Sequence, residues 1–96
     1  MTSGNNAVVI SNGDNISITN SGTITATTDN SGLNISASDG TVVTNTGTIS
    51  GVDHGMQSSN VDNSTITNHG TISASSNSGY GLVYENDGTN LSLIHI

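Results

Sequence analysis

Asn20-Ser21-Gly22-Thr23-Ile24-Thr25 is the stretch on which the fold turns, because the chain contains it three times with small changes. It returns as Asn45-Thr46-Gly47-Thr48-Ile49-Ser50 and as Asn68-His69-Gly70-Thr71-Ile72-Ser73. A β-branched apolar residue and a threonine precede each copy: Ile18-Thr19, Val43-Thr44 and Ile66-Thr67. The copies begin 25 and then 23 residues apart. Tandem recurrence with a period of roughly 20–50 residues marks a solenoid or array, in which units bury their apolar faces by stacking on one another.

Working outward from the motif, Thr23-Ile24-Thr25-Ala26 alternates apolar with hydroxyl residues, the pattern of a half-buried strand. Ile16-Ser17-Ile18-Thr19 and Gly32-Leu33-Asn34-Ile35-Ser36 alternate in the same way, and Ala7-Val8-Val9-Ile10 is a short apolar run that also reads as a strand. Asn20-Ser21-Gly22 reads as a corner, with Gly22 expected to supply a positive φ. Residues 11–15, the polar stretch 27–31 and Ser38-Asp39-Gly40 read as turns or loops, with His54 also expected on a loop. Aligning the units on the repeated asparagine puts Asp14, Asp39 and Asp62 at one position. Val8, Leu33 and Met56 share another, and Ala7, Gly32 and Gly55 a third. Length then varies in only one loop: nine residues separate Gly22 from Gly32, seven separate Gly47 from Gly55, and a longer version follows Gly70.

Three short strands and three turns per unit predict an all-β parallel β-helix, a β-solenoid of about 3.5 coils of 23–25 residues over 1–90. Equivalent residues should form columns about 4.7–4.9 Å apart. The inward columns are Ile18/Val43/Ile66, Ile24/Ile49/Ile72, the small-residue column Ala26/Gly51/Ala74, and Leu33/Met56/Leu82. Asn20, Asn45 and Asn68 should stack and bond amide to amide, as asparagine ladders do in stacked strands.

Composition excludes several functions. Only 30 % of the 96 residues are apolar, there is no Phe, Trp, Pro or Cys, and the sole aromatics are Tyr80 and Tyr84. The formal net charge is −7 with no Lys or Arg at all. Nucleic acid and anionic membrane surfaces are therefore not expected partners, since both are held by basic side chains. No apolar run approaches the ~20 residues of a membrane-spanning helix. A disulfide framework or thiolate metal site is impossible without cysteine.

The chemistry-bearing residues are few. His54 follows Asp53, and His69 sits in a corner slot that Ser21 and Thr46 also fill. Loop histidines without a metal or catalytic role are the expected reading, and no nucleophile motif such as Gly-x-Ser-x-Gly is present. The Asp14/Asp39/Asp62 column reads as turn aspartates accepting backbone hydrogen bonds rather than as a cation site. Asn15-Ile16-Ser17, Asn34-Ile35-Ser36 and Asn63-Ser64-Thr65 are glycosylation sequons of a kind that arises by chance in so polar a chain. Outward hydroxyl columns Thr23/Thr48/Thr71 and Thr25/Ser50/Ser73 resemble the ice-binding face of some β-solenoid antifreeze proteins, although serine at two of three second positions departs from that pattern. No catalytic, cofactor-binding or metal residue is assigned.

The Asn-x-Gly-Thr-Ile motif followed by Ser or Thr at positions 20, 45 and 68, with Gly-Leu strands between, resembles the repeats of bacterial autotransporter passenger domains and related surface adhesins. The resemblance covers roughly residues 5 to 90 and implies a right-handed β-helix at the bacterial cell surface. It implies a structural or adhesive stalk segment, not an enzyme, whose partners are flanking coils of the same chain and host or bacterial surface ligands. The family's secretion signal and C-terminal membrane barrel are not in these residues, so the chain is expected to be an uncapped fragment. Residues 1–90 alone are expected to be disordered or associated end to end. The rival reading is a piece of a β-helical polysaccharide-active enzyme, disfavoured because lyases of that type need basic groups in a groove. Leu91-Ser92-Leu93-Ile94-His95-Ile96 resembles the conceptual translation of a transposon-end sequencing adapter, which makes 91–96 an expected non-native tail. Read as protein, Asn90-Leu91-Ser92-Leu93 instead mimics the strand start Asn15-Ile16-Ser17-Ile18.

Overall fold

A computed structural model describes residues 2–3, 5–37, 39–59, 62–76, 79–85 and 92–95. Among these residues the regular structure is entirely β. The strands are β1 (Thr2–Ser3), β2 (Val8–Ser11), β3 (Ser17–Asn20), β4 (Thr23–Ala26), β5 (Ser31–Ser36) and β6 (Val42–Asn45). They continue as β7 (Thr48–Gly51), β8 (His54–Ser59), β9 (Thr65–Asn68), β10 (Thr71–Ala74), β11 (Tyr80–Glu85) and β12 (Ser92–His95). Successive strands go to three four-stranded parallel sheets in strict rotation: β1-β4-β7-β10, β2-β5-β8-β11 and β3-β6-β9-β12. This arrangement is consistent with a β-solenoid.

Register follows the repeat. Ile24 pairs with Ile49 and Ile49 with Ile72 in the first sheet. Val8, Leu33, Met56 and Leu82 align in the second. Ile18, Val43 and Ile66 align in the third, where the backbone of Leu93 continues the row. Of the expected tail 91–96, Leu91 and Ile96 lie outside the described residues. Leu33, Val43, Ile49 and Met56 are fully buried, and Val8, Ile18, Ile72 and Leu82 pack against them half-buried. Apolar columns form the core because each strand turns its alternate residues inward, and a one-residue slip would reverse every face. A further inward column, Ile10/Ile35/Ser58, holds a buried serine in its third unit, where the backbone of Tyr84 continues the row, and is therefore not legible as an apolar repeat.

Turn lengths explain where the units differ. Two residues join the third sheet to the first each time (21–22, 46–47, 69–70), and five join the second to the third (12–16, 37–41, 60–64). The connection from the first sheet to the second varies most, as 4–7, 27–30, 52–53 and 75–79, and the last connection from the second to the third, 86–91, is one residue longer than the others.

Three sequence expectations need correction here. The corner glycines do not adopt positive φ; among the described glycines only Gly40 does, at 70°. Gly47 and Gly70 are required instead because a Cβ would strike the carbonyl oxygen of the glycine one unit earlier, Gly22 and Gly47 respectively. Ser31 belongs to β5 rather than to the polar loop, since the connection before it needs only 27–30. His54 opens β8 instead of lying on a loop, because its connection has shrunk to Val52–Asp53.

Candidate functional site

The corner between the third and first sheets carries a buried row of hydrogen-bonded asparagine side chains. Each asparagine ends a strand with its side chain turned inward, and Asn20, Asn45 and Asn68 are all buried. Asn20 Nδ2 donates to Asn45 Oδ1 at 2.8 Å, and Asn45 Nδ2 donates to Asn68 Oδ1 at 2.8 Å. The same amides also reach backbone carbonyls: Asn20 those of Gly22 and Thr48 at 3.2 and 3.1 Å, Asn45 those of Gly47 and Thr71 at 3.1 and 3.2 Å. Thr46 N and His69 N donate to the carbonyls of Asn20 and Asn45 at 2.8 Å, so the turn backbone is satisfied between units. A buried primary amide with its donors and acceptors engaged avoids the desolvation cost of an orphaned polar group.

The aspartate column is likewise a ladder. Asp39 N donates to a carboxylate oxygen of Asp14 at 3.3 Å, and Asp62 N to one of Asp39 at 3.0 Å. These carboxylates accept backbone hydrogen bonds from the next unit, as turn aspartates do. Among the described residues no group of three or more His, Cys, Asp or Glu could hold a metal ion.

Thr23, Thr48 and Thr71 align on the outer face of the first sheet, beside Thr25, Ser50 and Ser73. Thr23 and Thr71 are exposed and the others half-buried. The Thr25 and Ser50 hydroxyls lie 3.1 Å apart and bond to each other. Among the described residues the acidic ones lie off this face: Asp29 and Asp53 on the connections into the second sheet, Asp14, Asp39 and Asp62 on those out of it, and Glu85 at the end of β11. Among the described residues the outer rows therefore offer neutral hydroxyl donors and acceptors and no ionised group.

Sequence reasoning missed one pairing. Ser31 and His54 are register neighbours, and Ser31 Oγ and His54 Nδ1 are both buried without a hydrogen-bond partner. The His54 ring stacks on Tyr80 with centroids 6.2 Å apart and planes 19° apart, while Tyr80 itself is 65 % exposed. A serine beside a histidine suggests a nucleophile and base, but Ser31 is only 1 % exposed and no substrate reaches it. The signal that could have found the pair is the single register slot that holds Ser31, His54 and Tyr80 in successive units. His69 is exposed in its corner, like Ser21 and Thr46 at the same slot. Asn15 and Asn63 of the sequons stand exposed on turns at φ 57° and 55°. Asn34 lies on β5, with Nδ2 donating to Gln57 Oε1 at 3.3 Å.

No protein-family model matches the chain, and no match was found among curated proteins or solved structures.

Proposed function

We propose that the chain is a structural or adhesive stalk segment of a cell-surface autotransporter passenger, built as a right-handed parallel β-helix with coils of 23–25 residues. Right-handed winding is what parallel strands joined by crossovers in one sheet nearly always adopt. The observation that carries the reading is the asparagine ladder, because its bonds link each unit to the next and close no pocket or reacting centre. Bonds between units give a slender body its length and stiffness. The segment's mechanism is mechanical: each unit contacts only its neighbours, so flanking coils of the same chain extend it. Surface ligands would then meet the outer rows or the variable connection. An antibody raised against the chain should label intact bacteria of the source and lose its target when the cells are shaved with a protease. Labelling confined to lysed cells would refute the reading.

A further inference from the structure

We propose that Asn12 is a site of spontaneous deamidation, converting through a succinimide faster than any other asparagine of the chain. Asn12 is the sole asparagine followed by glycine. A glycine leaves the approach of its backbone nitrogen to the preceding side chain uncrowded. Asn12 lies on the turn after β2, exposed, with φ at 57° and its backbone N–H donating to Ser36 O at 3.1 Å. Several of the other described asparagines are held or screened. Asn20 and Asn45 have their carboxamides fixed in the ladder. β-branched Ile16 and Ile35 follow Asn15 and Asn34. At Asp39-Gly40, whose sequence permits the same ring closure, the Asp39 carboxylate is held by Asp62 N at 3.0 Å.

In the reaction Gly13 N gives its proton to hydroxide and bonds to Cγ of Asn12, and the Cγ–Nδ2 bond breaks as Nδ2 takes a proton from water and leaves as ammonia, which regenerates hydroxide. Water then opens the succinimide at either carbonyl. One product is aspartate; the other is isoaspartate, whose main chain is longer by the side-chain methylene. Either adds a negative charge to the turn that already holds Asp14. The isoaspartyl form also shifts β3 against β2 within one unit. The chain is incubated at mildly alkaline pH, digested with an aspartate-directed protease because it lacks Lys and Arg, and mapped by mass spectrometry. The mass gain of amide-to-acid conversion is expected first at residue 12, mostly at a linkage the protease does not cut. Gly13→Ala is the control, since Gly13 has no positive φ and an added Cβ meets only the Ile16 side chain, Cδ1 at 3.2 Å and Cγ1 at 3.3 Å. It should slow conversion at residue 12 by about tenfold or more by crowding the attacking nitrogen. An equal rate in Gly13→Ala, earlier conversion at another asparagine, or no conversion at all overturns the proposal.

Discussion

Asn45 sits at the middle of the ladder, fully buried, accepting from Asn20 and donating to Asn68 and to the carbonyls of Gly47 and Thr71. Truncation would strand buried groups on both sides, and each orphaned group costs about 1–3 kcal/mol. Asn45→Ala should therefore lose about 3 kcal/mol in chemical denaturation followed by circular dichroism. Asn20→Ala should lose about half as much, since Asn20 is 8 % exposed and has a ladder partner on one side alone. Equal losses at the two positions would mean that the amides act independently. Ala37 presents the opposite case. It occupies the turn slot of Asn12, makes the equivalent backbone bond, and has φ at 51°. A left-handed conformation costs an L-residue roughly 1–2 kcal/mol, and asparagine tolerates it better by bonding its own backbone. Ala37→Asn should raise stability by about 0.5–1 kcal/mol, and an unchanged or lower midpoint would refute the strain.

The two-residue corner shows what a glycine contributes at the scale of an element. A Cβ on Gly47 would meet the Gly22 carbonyl, whereas a Cβ on Gly22 meets nothing within 4 Å. Gly47→Ala should cost about 1–3 kcal/mol as an overpacked contact. Gly22→Ala should stay within about 0.5 kcal/mol, as surface changes do. Matched losses would point to backbone dihedrals rather than to the approach of stacked units. Sequence alone discloses that glycine is needed there but not the reason, because the distance between units is nowhere written in a single unit. The columns of Ile24, Val43 and Leu33 were legible, since period-2 alternation and the repeated corner fix both face and register. The hydroxyl rows and both ladders were legible for the same reason. Ser31 and His54 were not: a strand begins wherever the preceding connection happens to end, and the connections 27–30 and 52–53 differ in length. Ala37 hid its strained backbone because alanine normally signals nothing about φ.

At the scale of the molecule, each unit can stand in for its neighbour. Deleting 45–67 joins Thr44 to Asn68, whose register equivalent is Asn45, so every column is retained. That shortened chain should keep its β circular dichroism and lose stability in proportion to one unit, because stability in repeat proteins is close to a sum over units and interfaces. Deleting 45–66 removes one residue fewer, sends inward residues outward beyond the junction, and should abolish the cooperative melt. Survival of both deletions would show that the columns do not define the fold. The ladder has a further consequence. Between the asparagines donation runs one way, from Asn20 to Asn45 and from Asn45 to Asn68. Aligned bonds of this kind polarise one another, and parallel strands impose the same sense. The molecule thus has a vector along its length, like a magnet with two unlike poles. Two such bodies meeting pole to like pole would set donor against donor or acceptor against acceptor, and only a partner facing the same way could continue the line.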